Sequence, residues 1–245
     1  MRVMARLRAP GGCPWDAEQT HASLAPHLLE ESHEVLAAID AGDREAIRDE
    51  LGDVLLQVVF HAQIAADDGA WDVDDVAQRL IDKLVRRHPH VFGEVAVSGA
   101  DEVLVNWEQI KADEKGGEAQ GLEDDIPGSL PALARASKVQ RRAAGFGFDW
   151  RTREVAIAKL REEIDELEAA TTPEEAESEL GDVLFAAAAV ARRIGADPET
   201  ALRRTTTRFA YRYEAMRGRA AAEGVDLASM DDDELLTYFR SSRGR

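Results

Sequence analysis

Two sets of acidic residues stand at helical spacing. The first is Glu30, Glu31 and Glu34 followed by Glu50 and Asp53. The second is Glu162, Glu163 and Glu166 followed by Glu179 and Asp182. Each reads Glu-Glu-x-x-Glu, a gap, then Glu-x-x-Asp. Positions three and four apart share a helix face, so Glu31 lines up with Glu34 and Glu50 with Asp53. A short turn between the two segments makes them antiparallel neighbours, and their carboxylates then converge. Leu51, Val54, Leu55, Leu56, Val58, Val59 and Phe60 point in nearly every direction around the second segment, which predicts a buried helix. Buried carboxylates are costly unless paired or metal-bound. No lysine or arginine lies beside Asp53 at helical spacing. An all-oxygen set suits a hard divalent cation, Mg²⁺ with Mn²⁺ as a substitute.

Glutamate-rich helices are more often solvated faces, and this chain has 48 acidic residues. The repeat argues otherwise. Glu50-Leu51-Gly52-Asp53-Val54-Leu55 recurs letter for letter as Glu179-Leu180-Gly181-Asp182-Val183-Leu184. A di-iron carboxylate bundle is a competing metal reading, since Glu30 and His33 form Glu-x-x-His. The second copy has Asp165 where that histidine would stand, and no histidine follows Glu50 or Glu179 at that spacing.

Cations near such acids suit a polyphosphate. Arg204, Arg208 and Arg212 form one stripe, and Lys159 lies one turn before Glu163. The first half offers Lys83, Arg86, Arg87 and His88 at a helix end, with His27 where the second half has Lys159. Pairing with neighbouring glutamates is the ordinary alternative for these arginines. No glycine-rich phosphate loop, nucleophile elbow or His-Glu-x-x-His is present, so phosphate handling must rest on metals and cations.

The elements that carry these residues all read as helices. His27 to Ile39, Arg44 to Ala66 and Val73 to Arg87 form the first half. Ala132 to Ala144, Val155 to Ala170, Thr172-Pro173 to Ile194, and Asp197-Pro198 to Arg219 form the second. The segment between, 111–128, is charged, glycine-containing and aperiodic, and reads as a flexible linker. The expected domains are 1–110 and 129–245, two copies of one helical unit in an all-α chain. A net charge of −18 disfavours nucleic-acid backbone. The single Cys13 suits a reducing compartment, and the longest apolar run, Val183 to Ala191, is too short for a bilayer. A cytoplasmic protein with no membrane and no nucleic-acid partner is expected.

The pattern Glu-Glu-x-x-Glu … Glu-x-x-Asp resembles the MazG nucleoside triphosphate pyrophosphohydrolases of the all-α NTP pyrophosphatase superfamily. The likeness extends to Gly12-Cys13-Pro14-Trp15-Asp16, Gln19-Thr20, Asp82-Lys83-Leu84, Arg86 to Phe92, Trp107 to Lys111, Asp125-Ile126-Pro127, Leu130 to Leu133 and Gly147 to Trp150. The resemblance implies tandem MazG-type four-helix units, packed into helical bundles in a homodimer. It implies hydrolysis of NTPs or dNTPs between the α and β phosphates, giving monophosphate and pyrophosphate, in nucleotide-pool sanitation or control. By position, Glu163, Glu166, Glu179 and Asp182 look like Mg²⁺ ligands of a principal C-terminal site. Glu31, Glu34, Glu50 and Asp53 match them in the N-terminal copy. Glu162, Glu163 and Glu166 are the candidates for the catalytic base. Lys159, Arg208 and Arg212 look like phosphate or nucleotide contacts, with Lys83 and Arg87 as first-half candidates. The chain departs from the family near Ala189 and Thr206, where asparagine is common, and at Tyr238-Phe239, where tryptophan is common. A helical scaffold that binds nucleotide without turnover, and a pyrophosphatase confined to dUTP or dCTP, are the other readings.

Overall fold

The computed structural model describes residues 2–99, 102–103, 106–107, 110, 114, 121–124 and 126–241. Of the expected linker, only 114, 121–124 and 126–128 fall within these ranges. Glu108, Gln109, Lys111 and Asp125, from the segments that resemble the family, lie outside the described residues. Among the described residues every regular element is helical, as expected of an all-α chain. The chain divides into two compact units, Met1–Glu118 and Ala119–Arg245. No described helix is long and apolar enough to cross a membrane.

The first unit opens with α1 (Arg2–Arg8) and α2 (Pro14–Glu18), which the sequence reading did not identify. Gly12 lets the chain fold back between them. A Cβ there would lie 2.2 Å from the Leu7 carbonyl oxygen, and Cys13 N–H donates to that same oxygen at 2.7 Å. Arg8 then ties the turn down, donating through Nη1 to the carbonyls of Asp16 (2.6 Å) and Gln19 (3.2 Å). Its Nε reaches Asp67 at 2.7 Å.

Helix α3 (His21–Ala41) starts six residues earlier than the His27 expected from the sequence. Pro26 disfavoured that start because it lacks the N–H of a helical hydrogen bond. A reciprocal capping box between Thr20 and Ser23, and the buried Leu24, hold the early turn in place. The helix closes at Gly42, whose φ of 69° is the left-handed cap that glycine takes without strain. Asp43 caps α4 (Arg44–Asp67) by accepting from the N–H groups of Glu45 and Ala46. Helix α5 (Val73–Arg87) carries a second capping box, Asp72 with Asp75. It stops at His88, and Pro89 starts α6 (Pro89–Phe92). Met4, Leu24, Phe60 and Ile64 form the core, with Leu7 and Val59 against it.

The second unit comprises α7 (Ala132–Gly145), α8 (Arg153–Ala169), α9 (Pro173–Arg193) and α10 (Pro198–Glu223). A 3₁₀ turn (Leu227–Ser229) and α11 (Asp232–Ser241) follow. Thr152 caps α8, and Thr172 with Glu175 boxes the start of α9. The core here is small-residue: Ala156, Ala186, Ala188, Ala189 and Ala220, with Met216. Such side chains let helix backbones approach closely but bury little apolar area each. Asp149 adds a polar clamp, paired with both Arg192 and Arg193. Gln140 Nε2 donates to the Phe185 carbonyl at 2.7 Å.

The expectation that α4 is buried all round is corrected. Leu51 and Leu55 are 51% and 59% exposed, and Leu180 and Leu184 on α9 are 49% and 48% exposed. Each pair is spaced by four and so forms one stripe. Among the described residues, each stripe is left half-exposed within its own unit. Gly52 and Gly181, beside these leucines, have open space within 4 Å of where a Cβ would lie.

Candidate functional site

In the first unit, α3 and α4 form the hairpin that Gly42 and Asp43 close, and the acids meet between them. Glu31, Glu50 and Asp53 each bring a carboxylate oxygen within 4.8 Å of the other two. Glu34 shares hydrogen bonds with Glu31 and Glu50. Glu31 and Glu50 are half-buried, while Glu34 and Asp53 are exposed. Loss of solvation, then repulsion from Asp53 and Glu34, pushes Glu31 above the usual carboxylate range. Loss of solvation, then Glu34 and Asp53, does the same to Glu50. No lysine or arginine is among the charges acting on either group. His27 is turned to Glu30 instead, Nδ1 to Oε2 at 3.7 Å.

The second unit builds its cluster on α8 and α9. Glu163, Glu166 and Glu179 approach within 4.8 Å of one another. Glu163 is buried, at 7% exposure. Lys159 Nζ lies 2.8 Å from Glu162 and 2.8 Å from Glu163. The Lys159 hydrogen bond draws Glu163 below the usual carboxylate range, and the paired carboxylates raise Lys159 in return. Glu166 moves the other way, pushed up first by its hydrogen bond to Glu163 and then by lost solvation.

The sequence-derived candidates fall into two groups. Glu31, Glu34, Glu50 and Asp53 come together, as do Glu163, Glu166 and Glu179. Asp182 is exposed and stands outside the mutually close set of its unit. Glu162 is exposed and joined to the cluster through Lys159. The remaining cations are placed elsewhere. Arg87 and Arg86 hold Glu114, whose carboxyl they draw down to about 2. Lys83 is exposed. Arg208 donates to Thr205 Oγ1 at 3.2 Å, and Arg212 lies over the Phe239 ring at 4.5 Å. Neither is among the charges acting on Glu163 or Glu166.

Both clusters fit a hard divalent cation by the chemistry of their donors: oxygen only, several to a site, and close enough to share one ion. The fit rests on convergence and not on burial, since Glu163 alone is buried. Gln57 was missed in the sequence. It lies one turn beyond Asp53, is 5% exposed, and its Oε1 has no hydrogen-bond partner. The signal was a lone amide in Val54-Leu55-Leu56-Gln57-Val58-Val59-Phe60, an otherwise apolar run.

Comparison with known proteins follows the same lines. The MazG nucleotide pyrophosphohydrolase domain matches residues 19–92, which span the first hairpin. The nucleoside triphosphate pyrophosphohydrolase of Escherichia coli K12 is 45% identical over 238 residues, covering 94% of this chain and 90% of its own. The nucleoside triphosphate pyrophosphohydrolase/pyrophosphatase MazG of Thermotoga maritima is 42% identical over 242 residues, covering 99% of this chain and 93% of its own.

Proposed function

The chain belongs to the MazG nucleotide pyrophosphohydrolase family, and from that premise we propose that it hydrolyses nucleoside triphosphates between the α and β phosphates. It is an enzyme, a nucleoside triphosphate pyrophosphohydrolase, acting on NTPs or dNTPs. The observation that carries the reading is the meeting of Glu163, Glu166 and Glu179 beside Lys159.

Glu163, Glu166 and Glu179, with Asp182 at the margin, would hold Mg²⁺ in the second unit. Glu31, Glu34, Glu50 and Asp53 would hold it in the first, and Mn²⁺ can replace it. Bound there, the metal neutralises phosphate charge and makes a water more acidic. The chain's own groups do the rest. One of Glu162, Glu163 and Glu166 takes the proton of the water that attacks the α-phosphorus. The bond to the bridging oxygen breaks, and pyrophosphate leaves. Lys159 offers its positive charge to the phosphates, giving up part of its hold on Glu162 and Glu163. Arg208 and Arg212 serve the nucleotide from α10. The second unit is the principal site because, among the described residues, it alone sets a lysine within reach of its acids. The product class suits nucleotide-pool sanitation or control.

The working form is a homodimer in the cytoplasm. The exposed stripes Leu51/Leu55 and Leu180/Leu184 support the dimer, since isolated chains seldom leave such faces bare. Sedimentation should give twice the chain mass of 26.9 kDa.

Product analysis with Mg²⁺ tests the activity. Monophosphate and pyrophosphate should appear together in equal amounts. Nucleoside diphosphate with orthophosphate would sink the proposal. The same assay across a panel of NTPs and dNTPs ranks the substrates.

A further inference from the structure

The first hairpin is closed by the chain itself at Gly42 and Asp43, and its other end is open. Across that open end His21, the first residue of α3, meets His61 of α4, Nδ1 to Nδ1 at 2.7 Å. The ring centroids are 5.0 Å apart and the planes differ by only 4°. A 2.7 Å contact between rings centred 5.0 Å apart leaves room for little more than the two ring radii, so both nitrogens lie on the line joining the centres. Parallel rings that share such a line are coplanar. The Nδ1–H of one ring therefore points straight at the Nδ1 lone pair of the other, the best alignment a hydrogen bond has. The same alignment excludes a shared metal ion, since two nitrogens facing one ion head-on would stand about 4 Å apart. Trp71, in the turn before α5, has its ring within 24° of parallel to His21, at 6.2 Å between centroids. This end is separate from the acids: His61 lies about 12 Å beyond Asp53 along α4.

We propose that His21 and His61 form a proton-operated latch on the open end of the first hairpin, shut by one hydrogen shared between the two Nδ1 atoms and opened when each Nδ1 carries its own. Neutral imidazole has one N–H, so the shut pair needs His21 and His61 in opposite tautomers. A first added proton goes to the donor ring's Nε2 and leaves the bond standing, now charge-assisted. A second must take the acceptor's Nδ1 lone pair. It breaks the bond and leaves two cations facing each other. Among the described residues, no acid answers that repulsion. Asp67, the next acid along α4, is bonded to Arg8 and Gln63, and Asp72 to the amides of Asp74 and Asp75. Neither these nor Asp16, Glu18 and Asp68 are among the charges acting on His61, whereas His21 is. Loss of solvation, then the His21 charge, holds His61 below the usual histidine range. Its stability contribution is therefore present above that range and lost as pH falls through its lowered value. Pro26 defines the part released: it has no N–H for the helical ladder, and so ties residues 21–25 weakly to the rest of α3. The Thr20–Ser23 capping box and the buried Leu24 are then what holds that turn.

The test uses full-length protein with isotope-labelled histidine, titrated in EDTA across the histidine window from about pH 8 to about pH 5. Ring nitrogen–proton correlation at the upper end should show one ring of the pair as the Nδ1–H tautomer and the other as Nε2–H. His21→Gln should raise the midpoint of His61 by removing the His21 charge. Hydrogen exchange of residues 21–25, divided by the intrinsic rate at each pH, should lose about five- to tenfold of its protection across the window, the worth of one hydrogen bond. In His61→Gln the amide bonds to His21 in either charge state, so that loss should vanish. Peptides around Glu31 and Glu50 respond in the opposite sense and serve as an internal control. Two Nε2–H tautomers with independent midpoints overturn the proposal. So does a loss of protection that persists in His61→Gln or never appears in the unaltered chain. Should a variant not fold, the tautomers and midpoints of the unaltered chain decide alone.

Discussion

On α8, one turn before Glu163, the Lys159 ammonium lies 2.8 Å from two carboxylates. At the corresponding place on α3 stands His27, whose ring reaches only Glu30 at 3.7 Å. The two hairpins share their ligand letters and differ in what answers the charge. In the first, loss of solvation and then repulsion from neighbouring carboxylates push Glu31 and Glu50 toward the protonated form, with no lysine or arginine among the charges acting on them. In the second, Glu163 is held ionised by an internal counter-charge. A repeated set of acids therefore does not fix the electrostatics of a site. The residue one turn upstream does.

The sharpest way to break this comparison is turnover. Glu163→Gln or Glu179→Gln should lower kcat by at least about a hundredfold, the scale of losing one electrostatic group at the reacting centre. Glu34→Gln or Asp53→Asn should lower it only a few-fold. Equal losses in a steady-state assay would show two working sites. Next in size is Lys159→Met, which removes the cation and leaves the acids. KM for the magnesium-bound triphosphate should rise about tenfold, the order of one charge-assisted bond to phosphate. An unchanged KM would place the lysine outside substrate binding.

Acidity separates the hairpins more gently. Glu163 sits below the usual carboxylate range when folded, so its contribution is present above that range and lost as pH falls through its folded value. Glu31 and Glu50 sit above it, so folding favours their protonated forms. The metal-free first hairpin gains stability as pH falls from neutral through those raised values, and loses it as pH rises. In the second hairpin Glu166 opposes Glu163, and the net change is smaller. Hydrogen exchange in EDTA, read peptide by peptide at about pH 5 and about pH 7 and divided by the intrinsic exchange rate at each pH, should show greater protection of α3 and α4 around Glu31 and Glu50 at the lower pH. Added Mg²⁺ should slow the same peptides at neutral pH.

The smallest effect lies in the turns. Gly42 has a φ of 69°, whereas Ala170 closes α8 at −59°. Gly42→Ala should destabilise its unit by about 1 kcal/mol, the cost of a left-handed alanine. Ala170→Gly should cost only a few tenths of that. Urea unfolding of the two variants measures the difference.

Much of this was legible in the letters. Val73–Arg87 follows the sequence reading at both ends because a cap and a proline bracket it. The convergence of Glu31, Glu50 and Asp53 followed from helical spacing and a short turn. What the letters concealed was three-dimensional. Apolar residues all round α4 were read as burial, yet Leu51 and Leu55 face outward, because periodicity cannot tell a core from a surface awaiting another chain. Asp182 matches Asp53 in sequence and not in placement. Its carboxylate stands outside the close set that Glu163, Glu166 and Glu179 form. Trp15 was visible only as part of a motif, since its placement against His27 and Phe60 depends on a fold-back through Gly12.

Gly52 and Gly181 remain, each in the middle of a helix with empty space where a side chain would be. For an engineer seeking a sturdier single chain they are the obvious targets. Alanine at either place should raise helix stability by about 1 kcal/mol. Under the proposed dimer, those notches are where a second backbone would come close. The same two methyl groups would then harden the monomer and weaken the assembly, and a chain optimised for its own melting temperature would be optimised away from its working form.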